Sequence, residues 1–86
     1  MVLAAARPVP AAAADVAEEI LAKGIEAYQA GNLEPAIGGI NAAMRGRLPA
    51  AQMARAYYYR GLAYRKQGNP GQAITDFSRA LEYPGL

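Results

Sequence analysis

The chain has 86 residues, of which 53% are hydrophobic and 8% aromatic, and its formal net charge is +2. This length holds one small domain. Cys and His are both absent, so disulfides are excluded, and zinc sites and imidazole catalysis are excluded for practical purposes. No apolar run approaches the roughly 20 residues of a membrane-spanning helix. The composition predicts a small, soluble, helical module without a cofactor, a metal or a membrane partner.

Residues 1–14 are rich in alanine and proline and are predicted to form a flexible tail. Pro8 and Pro10 restrict the residues before them and disfavour a helix. Asp15 and Glu18 have the spacing of a capping box, which predicts that the first helix begins at Asp15. A second interpretation is the remnant of a secretion signal. The sequence does not fix the localisation: the cytoplasm is the default expectation, and the periplasm or export is expected if Met1 is not the natural start.

An internal repeat follows the tail. Seven positions recur after an offset of 37 residues, and six of the seven pairs are identical. The first members are Gly24, Gly31, Asn32, Ala36, Ile37, Ile40 and Ala43, and the second are Gly61, Gly68, Asn69, Ala73, Ile74, Phe77 and Ala80. Because a paired Gly, Gly and Asn do not recur by chance even in an alanine-rich chain, we interpret the repeat as structural.

Each copy has the pattern of two helices joined by a tight turn. The first copy, residues 15–46, is predicted to form a helix over 15–30 and a second one that ends near Arg45. The second copy, residues 47–86, is predicted to form helices over 49–67 and from Pro70 to about Tyr83.

The turn inside each copy has the same sequence, Gly followed by Asn. Gly31 and Gly68 are predicted to adopt the left-handed conformation that ends a helix. Asn32 and Asn69 are predicted to cap the helices that follow.

Residues 56–85 resemble a tetratricopeptide repeat, with residues of the family pattern at Tyr57, Gly61, Tyr64, Ala73, Phe77 and Ala80 and with Pro84 one place early. The first copy resembles it more weakly, through Ile20, Gly24, Ala27, Ala36, Ile40 and Ala43, with Pro49 one place late. The resemblance covers about residues 17–86. It implies an all-α fold of two stacked antiparallel helix-turn-helix hairpins, a fragment of a right-handed solenoid that acts as a protein–protein interaction scaffold.

Two departures from the family pattern are informative. The family repeat has 34 residues, so the longer offset places extra residues between Ala43 and Ala54, in a longer loop or a longer following helix. Gly38 and Gly39 lie inside a predicted helix, which is therefore either locally weak or closely approached by a neighbour. In the second copy, Gly61 is expected to face Ala73 across the hairpin.

The resemblance also predicts a concave groove that holds a peptide. Three consecutive tyrosines cannot share one helical stripe, so Tyr58 and Tyr59 are directed away from the stripe that holds Tyr57. The predicted groove residues are Leu21, Ile25, Tyr28, Arg55, Tyr58, Tyr59, Leu62 and Arg65. The alternative is that Tyr58 and Tyr59 only pack against a further helical pair or the tail.

Charge is divided unevenly along the chain. Up to Glu34 there are two basic and five acidic residues, a net of −3, and beyond it there are seven basic and two acidic residues, a net of +5. This pattern favours a protein or peptide partner with apolar and acidic side chains. The alternative is attraction between the two oppositely charged hairpins of stacked copies. A third interpretation, nucleic-acid binding through Tyr and Arg, has no recognised motif to support it.

No enzymatic constellation and no small-molecule substrate is predicted. Asp76 and Glu82 look isolated, and Ser78 and Thr75 have no His to activate them. Two repeats leave an uncapped end, where Phe77, Leu81 and Tyr83 would form an association face. That face predicts a homo-oligomer, a larger repeat array or a docked partner.

Overall fold

The computed structural model describes the backbone of residues 9–83 and the side chains of residues 15–83. Within that part the chain is all-helical. The helices are α1 (Val9–Gln29), α2 (Leu33–Met44), α3 (Ala50–Lys66) and α4 (Pro70–Ala80). Among the described residues, no helix has the length and apolar content needed to cross a membrane.

The four helices pack as two hairpins. α1 packs along α2, α3 packs along α4, and the hairpins meet mainly through α2 and α3, with a smaller contact between α1 and α3. The predicted all-α class and the hairpin packing are confirmed.

The start of α1 differs from the prediction. The helix begins at Val9, so the predicted start at Asp15 is wrong, and residues 9–14 of the predicted tail are helical. Pro10 is the second residue of the helix, where its missing N–H would have no partner within the helix. Ala11 to Ala14 then continue the helix because alanine has the highest helix propensity. The other tail residues, 1–8, lie outside the described part.

Both hairpins use the same turn. Gly31 and Gly68 have φ of 88° and 86°, as predicted, and they are the only residues of the described part with positive φ. In the first turn the amide of Gly31 donates to the carbonyl of Tyr28, and that of Asn32 donates to Ala27. The second turn repeats both bonds 37 residues later, which is the Schellman pattern at a helix end.

The asparagines cap less than predicted. Asn32 and Asn69 stand at the N-cap positions of α2 and α4, but neither side chain makes a capping hydrogen bond. Their contribution is from the backbone: the carbonyl of Asn32 accepts from the amide of Ala36, and that of Asn69 accepts from Ala73.

Two further boundaries refine the prediction. α3 begins at Ala50, so residues 50–53 of the region with the extra residues are helical and lengthen α3. α4 ends at Ala80, three residues before the predicted end near Tyr83.

Alanine dominates the interior. Of the eleven hydrophobic residues buried within residues 15–83, eight are alanines, and the largest fully buried side chains are Leu21 and Ile40. The main core cluster joins three helices: Leu21 and Ile25 from α1, Ile40 and Ala43 from α2, and Ala56 from α3. Small side chains therefore let the helix backbones approach closely while each contact buries little apolar area.

The helices approach each other most closely at glycine residues. A Cβ atom on Gly61 would lie 2.6 Å from the ring of Phe77. A Cβ atom on Gly24 would lie 3.0 Å from Cγ1 of Ile40. Because these two pairs are related by the offset of 37 residues, the same contact closes both hairpins.

The two glycines inside α2 have different roles. A Cβ atom on Gly39 would lie 3.3 Å from Cα of Gly24, so here two backbones touch. Gly38 has no atom within 4 Å of its Cβ position. The prediction of close approach therefore holds for Gly39, whereas Gly38 only weakens the helix.

Replacement of Gly38 by alanine is expected to raise the free energy of unfolding by about 1 kcal/mol, because alanine is the better helix former and the site is open. The matched variant Gly39→Ala is expected to lack this gain, because its Cβ meets the backbone of Gly24. Urea denaturation followed by circular dichroism measures both. Equal stabilisation by the two variants would contradict the close contact between α1 and α2.

Candidate binding surface

One side of α3 is directed to solvent. Arg55, Tyr58, Leu62 and Arg65 follow one another at intervals of three and four residues, which places them on one stripe of the helix. Arg55 and Arg65 are exposed, Tyr58 is 41% exposed and Leu62 is half-buried. We call this stripe the α3 face.

Two residues predicted for the groove lie elsewhere. Leu21 and Ile25 are 1% and 5% exposed and belong to the core cluster between the hairpins. The prediction that they line a groove is wrong, because α3 packs over this part of α1 through Ala56.

A continuous row of aromatic rings crosses the molecule beside the α3 face. Tyr28 of α1 makes an edge contact with Tyr59, at 5.9 Å between ring centroids. Tyr59 makes a second edge contact with Tyr58 at 5.3 Å, and Tyr58 contacts Phe77 of α4 at 5.9 Å. This aromatic row, Tyr28–Tyr59–Tyr58–Phe77, links both hairpins. It brings together three of the predicted groove residues, Tyr28, Tyr58 and Tyr59. Tyr59 is half-buried against the core cluster, so it also has a structural role.

Cations lie over two rings of the row. The guanidinium of Arg55 is 5.8 Å from the centroid of Tyr59, and the ammonium of Lys66 is 5.5 Å from that of Tyr28. Gln52 accepts a hydrogen bond of 3.1 Å from Arg55. Such contacts hold a long side chain in place while its charge stays exposed. Lys66 was not among the predicted groove residues, although its spacing from Tyr59 along α3 would have indicated it.

The predicted association face divides into two parts. Phe77 and Leu81 border a shallow apolar depression of about 260 Å³, which Tyr58 and Ala80 complete. Leu81 is 79% exposed. Tyr83 instead stacks on Tyr57 of α3 at 6.0 Å. We call the depression lined by Tyr58, Phe77, Ala80 and Leu81 the terminal pocket.

A buried ion pair fixes α3 between its neighbours, and the sequence interpretation missed it. Asp76 was judged isolated, but its two carboxylate oxygens accept hydrogen bonds of 2.7 and 2.8 Å from Arg60. A third nitrogen of Arg60 donates to Oδ1 of Asn41, at 2.8 Å. One guanidinium thus joins α2, α3 and α4. No local spacing reveals this pair, because 16 residues separate its members.

The hydrogen bond to Asp76 raises the pKa of Arg60 above its ordinary value, and burial opposes this effect. Arg60 is also 5.5 Å from the ring of Tyr57 and 5.9 Å from that of Tyr64. Because the pKa of Arg60 is raised in the folded state, its contribution to the stability of the fold is fully present below the ordinary arginine pKa. Arg60 therefore keeps its positive charge at every physiological pH.

The described surface has cations without an acidic partner. Among the described residues no group of acidic, His or Cys side chains could hold a metal ion. The only ion pair of that part joins Arg60 to Asp76, so Arg55, Arg65 and Lys66 have no carboxylate partner within it. Exposed cations beside half-buried aromatic rings can bind acidic and apolar groups.

Comparison with known families agrees with this geometry. Residues 54–83 match the family model described as tetratricopeptide repeat, a segment that takes in most of α3 and all of α4. No curated protein and no solved structure matches the chain.

Replacement of Asp76 by alanine is expected to lower the free energy of unfolding by about 2 kcal/mol, because it leaves Arg60 half-buried without its carboxylate. The double variant Arg60→Met, Asp76→Leu is expected to recover much of this loss, since no unpaired charge remains. Glu82→Ala, which removes an exposed carboxylate, is the control. Urea denaturation measures all three. Equal stability of Asp76→Ala and Glu82→Ala would contradict the role of the ion pair.

Proposed function

We propose that this chain, whose residues 54–83 are a tetratricopeptide repeat, is an interaction module that binds a peptide segment through the α3 face and the aromatic row beside it. Tetratricopeptide repeats are in general protein–protein interaction modules. The observation that carries the proposal is the α3 surface itself, which combines the exposed ring of Tyr58 and the half-buried rings beside it with cations that have no carboxylate partner in the described part.

The first hairpin supports the proposal as a second, more divergent repeat. It has the same turn, with Gly31 in the left-handed conformation, and the same contact between a glycine and a large residue, Gly24 and Ile40. Two repeats side by side give the aromatic row its length, because Tyr28 comes from the first and Tyr58 from the second.

The charge of the surface indicates the chemistry of the partner. α3 has three arginines and one lysine and no acidic residue. Arg60 is occupied by Asp76, which leaves Arg55, Arg65 and Lys66 for a ligand. An extended or helical segment with acidic side chains next to apolar ones fits this surface.

The arrangement also favours affinity. Tyr and Arg are the residues most enriched in binding hot spots. Arg55 is held by Tyr59 and Gln52 before any ligand arrives, so less side-chain entropy is lost when the ligand binds.

Selection of random peptides displayed on phage against the full chain tests the proposal. The enriched peptides are expected to combine acidic and apolar residues. A synthetic copy of the best peptide, labelled with a fluorophore, is expected to lose about tenfold in affinity when Arg65 is replaced by glutamate, because a charge contact turns into repulsion. Tyr58→Ala is expected to weaken binding by a similar factor through lost apolar contact.

Arg79→Glu is the matched control, since it makes the same change of charge at an exposed site on α4 and away from the α3 face. It should reduce the affinity far less than Arg65→Glu. Equal losses would show that only net charge matters. Selection of peptides without acidic residues would contradict the proposed partner, and tight, steeply salt-dependent binding of a single-stranded oligonucleotide would favour a nucleic-acid partner instead.

A further inference from the structure

The terminal pocket lies outside the α3 face except for Tyr58, which both share. Only apolar and aromatic residues line it, and Leu81 at its rim is 79% exposed. An exposed leucine on its own needs no explanation, but a concave apolar site between two helices favours an occupant.

The internal repeat shows what kind of element covers such a surface. The residues 37 positions before Tyr58, Phe77, Ala80 and Leu81 are Leu21, Ile40, Ala43 and Met44. All four belong to or pack against the core cluster, where α3 covers them through Ala56 and Tyr59. The same surface is thus present on both hairpins, and on the first hairpin a helix occupies it.

We infer that the terminal pocket binds an amphipathic helix of a partner protein, seated as α3 is seated on the first hairpin. This site goes beyond the proposed peptide-binding face, because it takes a helix by its apolar side rather than an acidic segment. The chemistry of the partner helix follows from α3. It presents a small residue where α3 has Ala56, an aromatic residue three places later and a second small residue where α3 has Ala63.

The residue of the partner helix that takes the place of Ala56 has to be small. Ala56 and Ala63 are 0% exposed, and Ala56 belongs to the core cluster in which α3 meets the first hairpin. A larger or charged residue there would hold the helices apart or bury a charge without a partner.

A second copy of this chain does not meet the requirement. The helix that corresponds to α3 by the repeat is α1, which has Glu19 and Glu26 at the places of Ala56 and Ala63. Both are exposed, and docking of α1 into the pocket of another copy would bury their carboxylates against apolar side chains. The opposite charges of the two hairpins favour stacking of two copies, but the burial of these glutamates opposes it at the contact itself. The helix that occupies the pocket is therefore a different one.

The polar side of the partner helix is indicated in the same way. Arg60 of α3 donates to Oδ1 of Asn41 on the first hairpin. On the second hairpin the place of Asn41 belongs to Ser78, which is exposed. A hydrogen-bonding side chain four residues after the first small residue of the partner helix would meet the hydroxyl of Ser78.

A synthetic peptide with the sequence of residues 50–66 is the appropriate probe, because this helix fits the equivalent surface in the same molecule. It is titrated into the full, isotope-labelled chain while amide chemical shifts are recorded by NMR, which detects weak binding. The shifts are expected to concentrate at Phe77, Ala80 and Leu81. The same peptide with Ala56→Glu is expected to lose at least tenfold in affinity.

Two protein variants locate the site. Leu81→Glu is expected to reduce the affinity for the peptide at least tenfold, and Ile74→Glu to leave it unchanged. The second is a matched control, because Ile74 is an exposed apolar residue of the same helix, 65% exposed, that does not line the pocket. Both sites are exposed, so circular dichroism should show that both variants fold.

Three outcomes would overturn the inference: no shifts at any peptide concentration, equal binding by Leu81→Glu and wild type, or shifts centred on Leu21 and Ile40, which would mean that the peptide only replaces α3. Sedimentation of the chain alone gives a further test. A dimer that Leu81→Glu dissociates would identify the occupant as a second copy. If Leu81→Glu loses peptide binding and Arg65→Glu retains it, the inference is supported and the terminal pocket is shown to be a site separate from the α3 face.

Discussion

The constraint on which the rest of the structure depends is the distance between helix backbones. Gly39 and Gly24 bring α2 and α1 into contact at their main chains, and Gly61 admits the ring of Phe77 in the second hairpin. Most of the other buried hydrophobic residues of the described part are alanines, and Leu21, Ile25 and Ile40 are the larger ones. Because small side chains line most of the helix contacts, the apolar area buried per residue is small.

This constraint determines where the aromatic side chains lie. None of the six tyrosines is buried, and five of them lie half-buried along the edges of the helices. Rings at an edge still exclude water from the alanine core beneath them while their hydroxyl groups remain solvated. The joint of Arg60, Asp76 and Asn41 then fixes the rotation of α3 about its axis. The exposure of Tyr58 is thus a consequence of packing elsewhere on the helix.

Much of the fold could be predicted from the sequence, because the information is local or periodic. The Gly–Asn pairs, the offset of 37 residues and the prolines predicted the hairpins, and the positive φ of Gly31 and Gly68 confirms their turns. The start of α1 could not be predicted in this way, because Pro10 is harmless only when it falls in the first turn. The ion pair of Arg60 and Asp76 could not be predicted for a different reason, because it depends on the tertiary contact between α3 and α4.

The candidate surface shows the same limit more sharply. Tyr58 and Leu62 of the second hairpin correspond to Leu21 and Ile25 of the first, and the family resemblance predicted the same groove role for all four. The structure separates them, because α3 covers the first pair and no helix of the described part covers the second. The residue types agree with this difference at one of the two positions. Leu21 suits a closed interface, whereas Tyr58 suits a boundary between apolar surface and water. At the other position both hairpins have an aliphatic residue, Ile25 and Leu62, so there only the environment differs.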